Sequence, residues 1–173
     1  MFAYIYCMKK VVICIILWSL VIGWMGIIFY FSHQTSTVSS ALSKDLAKDV
    51  YESVDLTPER FEHKPDEWLI AHYKILVRKV AHLVQFFVLG ILLTLALSMH
   101  ISSINKVTVY SFTISALYAI GDEIHQSFIP GRGAKTGDVI IDLVGILLGC
   151  MLIWCTVKLI SRFKKAKSEK ISN

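Results

Sequence analysis

Arg78, His82 and Gln85 stand at i, i+4 and i+7, which places them on one face of any helix that holds them. Asp122, His125 and Gln126 follow i, i+3 and i+4 with Glu123 alongside, and Asp138 and Asp142 lie four apart. Two carboxylates, Asp122 and Asp142, with an imidazole from His125 or His82, suit general acid–base chemistry if the surroundings are of low dielectric. In that chemistry His125 is the expected base, Asp142 its orienter and Arg132 the group that meets an anion. The catalytic candidates are therefore Asp122, Glu123, His125 and Asp142. The ligand-binding candidates are Arg78, Lys79, His82, Gln126, Arg132 and Asp138, joined by Ser32 and Gln34. Arg78, Lys79 and Arg132 would meet the phosphate or carboxylate of a ligand.

Other chemistries fit less well. His82, His125 and the acids are ligand types, but no spacing such as His-Glu-x-x-His occurs, so no metal and no cofactor is expected. A Ser-His-Asp triad through Ser32 is a weaker reading. His33, His63, His72 and His100 read as ordinary surface or interfacial residues. Pro130-Gly131-Arg132-Gly133 is a turn by composition, with too few glycines for a phosphate-binding loop. The net charge of +5 does not point to nucleic acid, because no basic stripe is interleaved with aromatics.

The elements that must position these residues are apolar. The chain is 55% hydrophobic over 173 residues, and its apolar residues fall into four blocks with most of the charge between them. The blocks cover about 11–31, 81–99, 107–129 and 139–160, each able to cross a hydrocarbon core of about 30 Å. The third does so only by carrying polar residues in its last turns. The first block has 21 residues without a charge after Lys9 and Lys10. That exceeds a signal-peptide core of about 7–15 residues, so an uncleaved helix is expected. Cys7, Cys14, Cys150 and Cys155 all lie in apolar blocks and read as small apolar side chains.

Orientation follows from the flanks. Lys9, Lys10, Lys106 and a tail of Arg162, Lys164, Lys165, Lys167 and Lys170 share one side if there are four spans. On the other side, the 32–80 segment holds eight acids and seven bases. Positive charge marks the cytoplasmic side, which predicts a multi-pass protein of the cell membrane with both termini cytoplasmic. Arg132 and Lys135 run against that rule and need another reason to be where they are. In the outer segment, Leu42, Leu46, Val50 and Val54 recur every fourth residue among charges, predicting an amphipathic helix over 38–54 that rests on the membrane or caps the bundle. Thr57-Pro58-Glu59 is a helix start, and residues 66–80 can run helically into the second span. The expected fold class is thus all-α integral membrane, one domain over 1–173, with four transmembrane helices and an outer helical segment over 38–80.

At about 1.5 Å per residue, Gln85, His82, Arg78, Asp122, Asp142 and Asp138 all fall between the outer interface and roughly 8 Å below it. Ser32 and Gln34 close the first span at the same height. An ionisable group at mid-span costs on the order of 2.5–3.5 kcal/mol, less near the interface, so His82, Asp122, Glu123 and Asp142 should face one another rather than lipid. Gly145 and Gly149, and the stripe Ser111, Ser115 and Ala119, allow close helix approach.

The residues also resemble a family. Ser32-x-Gln34, then Arg78-Lys79-x-Ala81-His82, then Asp122-Glu123-x-His125-Gln126-x-Phe128-x-Pro130-Gly131-Arg132, then Asp138-x3-Asp142-x2-Gly145-x3-Gly149 is similar to the VanZ-like pattern over roughly residues 10–160. That family is named for a teicoplanin-resistance protein of Gram-positive bacteria. Gln85 stands where the family often has a glutamate, and an amide cannot exchange a proton near neutral pH. The resemblance implies a role in the cell envelope and, for some members, lower susceptibility to lipoglycopeptides. The expected partners are the lipid bilayer and a lipid-linked envelope precursor or a lipoglycopeptide, with no nucleic acid. Two functions stand side by side: a polar pocket at the outer leaflet that binds such a ligand, and a membrane-embedded hydrolase or transferase that acts on it. Transport is a third and lesser reading, since four short spans without repeats or broken helices give little for alternating access.

Overall fold

A computed structural model of the chain describes residues 2–54, 67–133 and 136–172, and among these every regular element is a helix. They are α1 (Phe2–Ser32), α2 (Ser36–Val54), α3 (Glu67–Ser98), α4 (Ile104–Ser127) and α5 (Thr136–Ser172). The expected helix start at Thr57-Pro58-Glu59, His63 and Lys135 lie outside the described residues. Residues 67–80 do run unbroken into the second apolar block as α3. The amphipathic segment forms α2, and it packs along α3.

Three helical stretches are long and apolar enough to cross a membrane: Cys7–Ser32, Lys74–Ser98 and Thr136–Ser168. This corrects the expectation of four. The third block does fold as one helix, α4, but it does not reach the same apolarity. Thr108, Tyr110, Thr113 and Tyr118 dilute it, and its inward stripe of Ser111, Ser115, Asp122, Glu123 and Gln126 is polar and buried. Hydropathy averages a helix over all its faces. A helix whose polar face is turned inward therefore scores low, however apolar its outer face.

The α3–α5 seam is the closest in the bundle. A Cβ on Gly145 would run into the backbone carbonyl of Leu83, and one on Gly149 into that of Phe87. From the other side, a Cβ on Gly90 would lie 2.7 Å from the Ile146 carbonyl oxygen. Small residues let backbones approach this closely, and dispersion over the seam then holds the helices together without a hydrophobic drive from lipid. Beside the seam, Ile28, Phe86, Leu89, Ala119, Ile146 and Cys150 make one buried cluster drawn from α1, α3, α4 and α5.

α1 is held differently. Its outward residues, among them Ile15, Ile16 and Ile22, are exposed as lipid-facing side chains would be. Inward, Val21 and Ile28 are buried in apolar clusters, and hydrogen bonds add to this: Trp24 Nε1 donates to the Gln85 carbonyl at 2.8 Å, and Tyr118 Oη to the Met25 carbonyl at 2.7 Å. At the end nearer the chain termini, Trp18 Nε1 donates to His100 Nε2 at 3.0 Å. All four cysteines are unpaired thiols.

Candidate functional site

The site lies at the end of the bundle where α1 and α4 finish and α5 begins, level with residues 78–85 of α3. After α4, Phe128 closes the helix, and a turn follows in which the Arg132 amide donates to the Ile129 carbonyl at 3.0 Å. Pro130 fixes the first central position of that turn. Gly131 has φ 75°, the left-handed value that the second central position of a type II turn requires. The turn brings Arg132 back over the bundle, where its Nη1 donates to the Ser32 carbonyl at 2.9 Å. The place of Arg132 is thus set by contacts with the bundle.

Two polar groups form beneath Arg132. On the α1–α4 side, Ser32 Oγ donates to Asp122 Oδ2 at 2.7 Å, and Gln126 Nε2 donates to the same oxygen at 2.9 Å. On the α3–α5 side, His82 Nδ1 lies 3.3 Å from Asp142 Oδ1, and Arg78 Nη2 lies 3.9 Å from Asp138 Oδ2. Asp142 is 1% exposed and His82 9% exposed, so this imidazole–carboxylate pair is shielded on nearly all sides. Glu123 is buried in the same region.

Between α1, α2 and α3 opens a cavity of about 210 Å³. Its polar lining is Ser32, Gln34, Ser39, Ser43, Arg78, His82, Gln85 and Arg132. Its apolar lining includes Phe31, Leu42, Leu46, Val77 and Ala81. No carboxylate lines it; Asp122, Asp138 and Asp142 stand one layer behind the groups that do. Every charged or titratable group at the cavity wall is thus a cation or an imidazole. Two of them keep a buried donor unused: Arg78 Nε and Arg132 Nε have no hydrogen-bond partner among the described residues. Those two nitrogens are closed off from the cavity itself, and a buried donor without a partner costs on the order of 1–3 kcal/mol. Burial, with Arg78 close by, lowers the Arg132 guanidinium pKa from its ordinary value, while Asp122, Glu123 and Asp138 act to raise it.

A family model described as VanZ/LLP1 matches residues 17–160. The chain belongs to the VanZ/LLP1 family. No curated protein and no solved structure matches it. The stretch shared with VanZ/LLP1 proteins holds the whole cavity and both polar groups beneath Arg132.

Of the sequence-predicted residues, Ser32, Gln34, Arg78, His82 and Arg132 reach the cavity, and Asp122, Gln126, Asp138 and Asp142 back it. Two do not take the expected place. Lys79 is exposed and does not line the cavity. His125 turns away from Asp142: its ring stacks on Phe29 with centroids 4.7 Å apart, and its Nε2 lies 3.2 Å from His33 Nδ1. The expected His125–Asp142 pairing is therefore corrected to His82–Asp142. The reason is rotational. His125 is three residues after Asp122, and about 100° per residue leaves it some 60° round the helix, towards α1. His33, read as an ordinary surface residue, is the partner of His125. The α2 wall was also missed as part of the site, although the Leu42–Leu46 spacing marked that face as apolar.

Proposed function

We propose that this VanZ/LLP1 protein is a multi-pass protein of the bacterial cell envelope whose cavity binds the anionic head of an amphiphile at the outer leaflet. The observation that carries this reading is that Arg78 and Arg132 both line the cavity while no carboxylate does. A guanidinium presents its donors in a fork that matches phosphate and carboxylate. The facing wall of Leu42, Leu46 and Phe31 suits a hydrocarbon chain. In this reading α4 sits among the three apolar helices with its polar stripe inward, the positively charged flanks favour both termini in the cytoplasm, and 1–173 is one domain. Occupation of the cavity by a lipid-linked precursor or by the acyl chain and head of a lipoglycopeptide then lowers susceptibility to teicoplanin-type drugs.

The test is teicoplanin and vancomycin susceptibility in a sensitive Gram-positive host expressing the wild type, Arg132→Ala or Arg78→Ala, with membrane levels followed by blot. Selective teicoplanin protection that disappears in well-accumulated variants supports the reading. A wild type that protects against neither drug removes the lipoglycopeptide part of it.

A second reading, a membrane-embedded acid–base hydrolase or transferase on a lipid-linked substrate, draws on one contact. His82 lines the cavity and is backed by the buried Asp142.

A further inference from the structure

Resting on the anion-pocket reading above, we propose that the cavity hydrolyses a lipid phosphate monoester, with His82 as the acid–base group and Asp142 as the residue that positions it. His82 Nδ1 faces the Asp142 carboxylate at 3.3 Å. The two atoms are within ion-pair reach but not in hydrogen-bond geometry. A small rotation of the ring would let Nδ1–H donate to the carboxylate, leaving Nε2 as the basic nitrogen of a residue that lines the cavity. An imidazole oriented by a buried carboxylate beside a cationic recess is the arrangement that proton transfer to or from a reacting phosphate needs.

The substrate class follows from the lining. Arg78 and Arg132 both line the cavity, and a phosphate monoester offers two guanidinium groups three free oxygens from one centre, one more than a diester does. The cavity of about 210 Å³ receives the phosphoryl group, with the chain leaving along Leu42 and Leu46.

The step balances without any further reactant. The oxygen of water bonds to phosphorus while the bond between phosphorus and the lipid oxygen breaks. His82 Nε2 takes a proton from the attacking water and returns it to the departing alkoxide. The products are the lipid alcohol and inorganic phosphate. Arg78 and Arg132 hold the phosphoryl oxygens as charge redistributes over them.

The full chain, purified into nanodiscs, is assayed for inorganic phosphate released from phosphatidic acid, and in parallel for binding of a non-hydrolysable long-chain phosphonate. The wild type is expected to release phosphate. His82→Gln and Asp142→Asn should lower kcat by about 100-fold or more, the usual worth of general acid–base catalysis, while phosphonate affinity stays within about threefold. Asp142→Asn should also displace the acidic limb of the kcat–pH profile, which a purely structural residue leaves in place. Arg132→Ala should weaken phosphonate binding and raise KM. Melting curves identify any variant that is misfolded, and Asp142→Asn, nearly isosteric, carries the test if His82→Gln does not fold. Arg-dependent phosphonate binding without phosphate release by the wild type overturns hydrolysis and leaves the pocket standing. Absence of phosphonate binding overturns both. Release that survives His82→Gln in a folded protein overturns the role given to His82.

Discussion

The two sides of the bundle each end in an imidazole pair, and the pairs are unlike. On the α3–α5 side, Gly90, Gly145 and Gly149 bring the helix backbones together, and at the head of that seam His82 meets Asp142 in near-complete burial. On the α1–α4 side, the helices touch lightly, and an exposed His33 stacks on a half-buried His125 with centroids 5.4 Å apart. The same residue type is thus enclosed in one case and partly open in the other. Seam tightness contributes to the difference, since close backbone approach beside Leu83 leaves little room for water around His82. The cavity lies on the boundary, with one wall fixed by the tight seam and another supplied by α1 and α2.

The largest effect should come from forcing the seam apart. Gly145→Leu places side-chain carbon against the Leu83 carbonyl, an obstacle of backbone that cannot move aside. The expected cost is on the order of 3 kcal/mol or more, at the upper end for overpacking. It should appear as loss of the monodisperse peak in size-exclusion chromatography after detergent extraction. A folded, normally melting Gly145→Leu protein would break the claim that the seam helps to enclose the buried pair.

Next comes the pair itself. Asp142→Asn removes the carboxylate and keeps the shape, so the protein should accumulate normally while phosphate release from phosphatidic acid falls by about 100-fold or more. Retained release would mean that the buried pair only sets helix register. A smaller effect is expected from loosening α1: Trp24→Phe deletes the hydrogen bond to the Gln85 carbonyl. That should cost about 0.5–1.5 kcal/mol, read as a modest fall in melting temperature with protection weakened but present.

The smallest effect belongs to the partly open pair. His125→Ala should change stability by no more than about 0.5 kcal/mol, as surface substitutions usually do. It should also leave teicoplanin protection intact. If His125→Ala abolished protection in a well-accumulated protein, the functional weight would have to move from the α3–α5 side to the α1–α4 side.

Much of this molecule is readable from residue order. The apolar blocks foretell α1, α3 and α5, the Leu42–Leu46 period foretells α2, and Pro130-Gly131 foretells a turn whose φ the structure bears out. The spacings of Arg78 with His82 and of Asp138 with Asp142 put each pair on one helix face, and the structure joins those faces. The height of the polar layer follows equally from counting residues, because rise per residue is nearly constant along a helix.

Partner choice across helices does not follow from counting. Height says nothing about rotation, and about 60° separates Asp122, turned inward to Ser32, from His125, turned to Phe29 and His33. Nor could hydropathy alone show that α4 buries a polar stripe, because it averages over faces that packing distinguishes. The sequence by itself determined which helices form, how apolar they are and at what depth the charges sit, since these depend on local propensity and a fixed rise. Only the tertiary structure decided that Asp142 faces His82, that Lys79 and His125 lie outside the cavity and that α2 helps to wall it. Those outcomes depend on rotation and close approach between helices, which three glycines on two of them set.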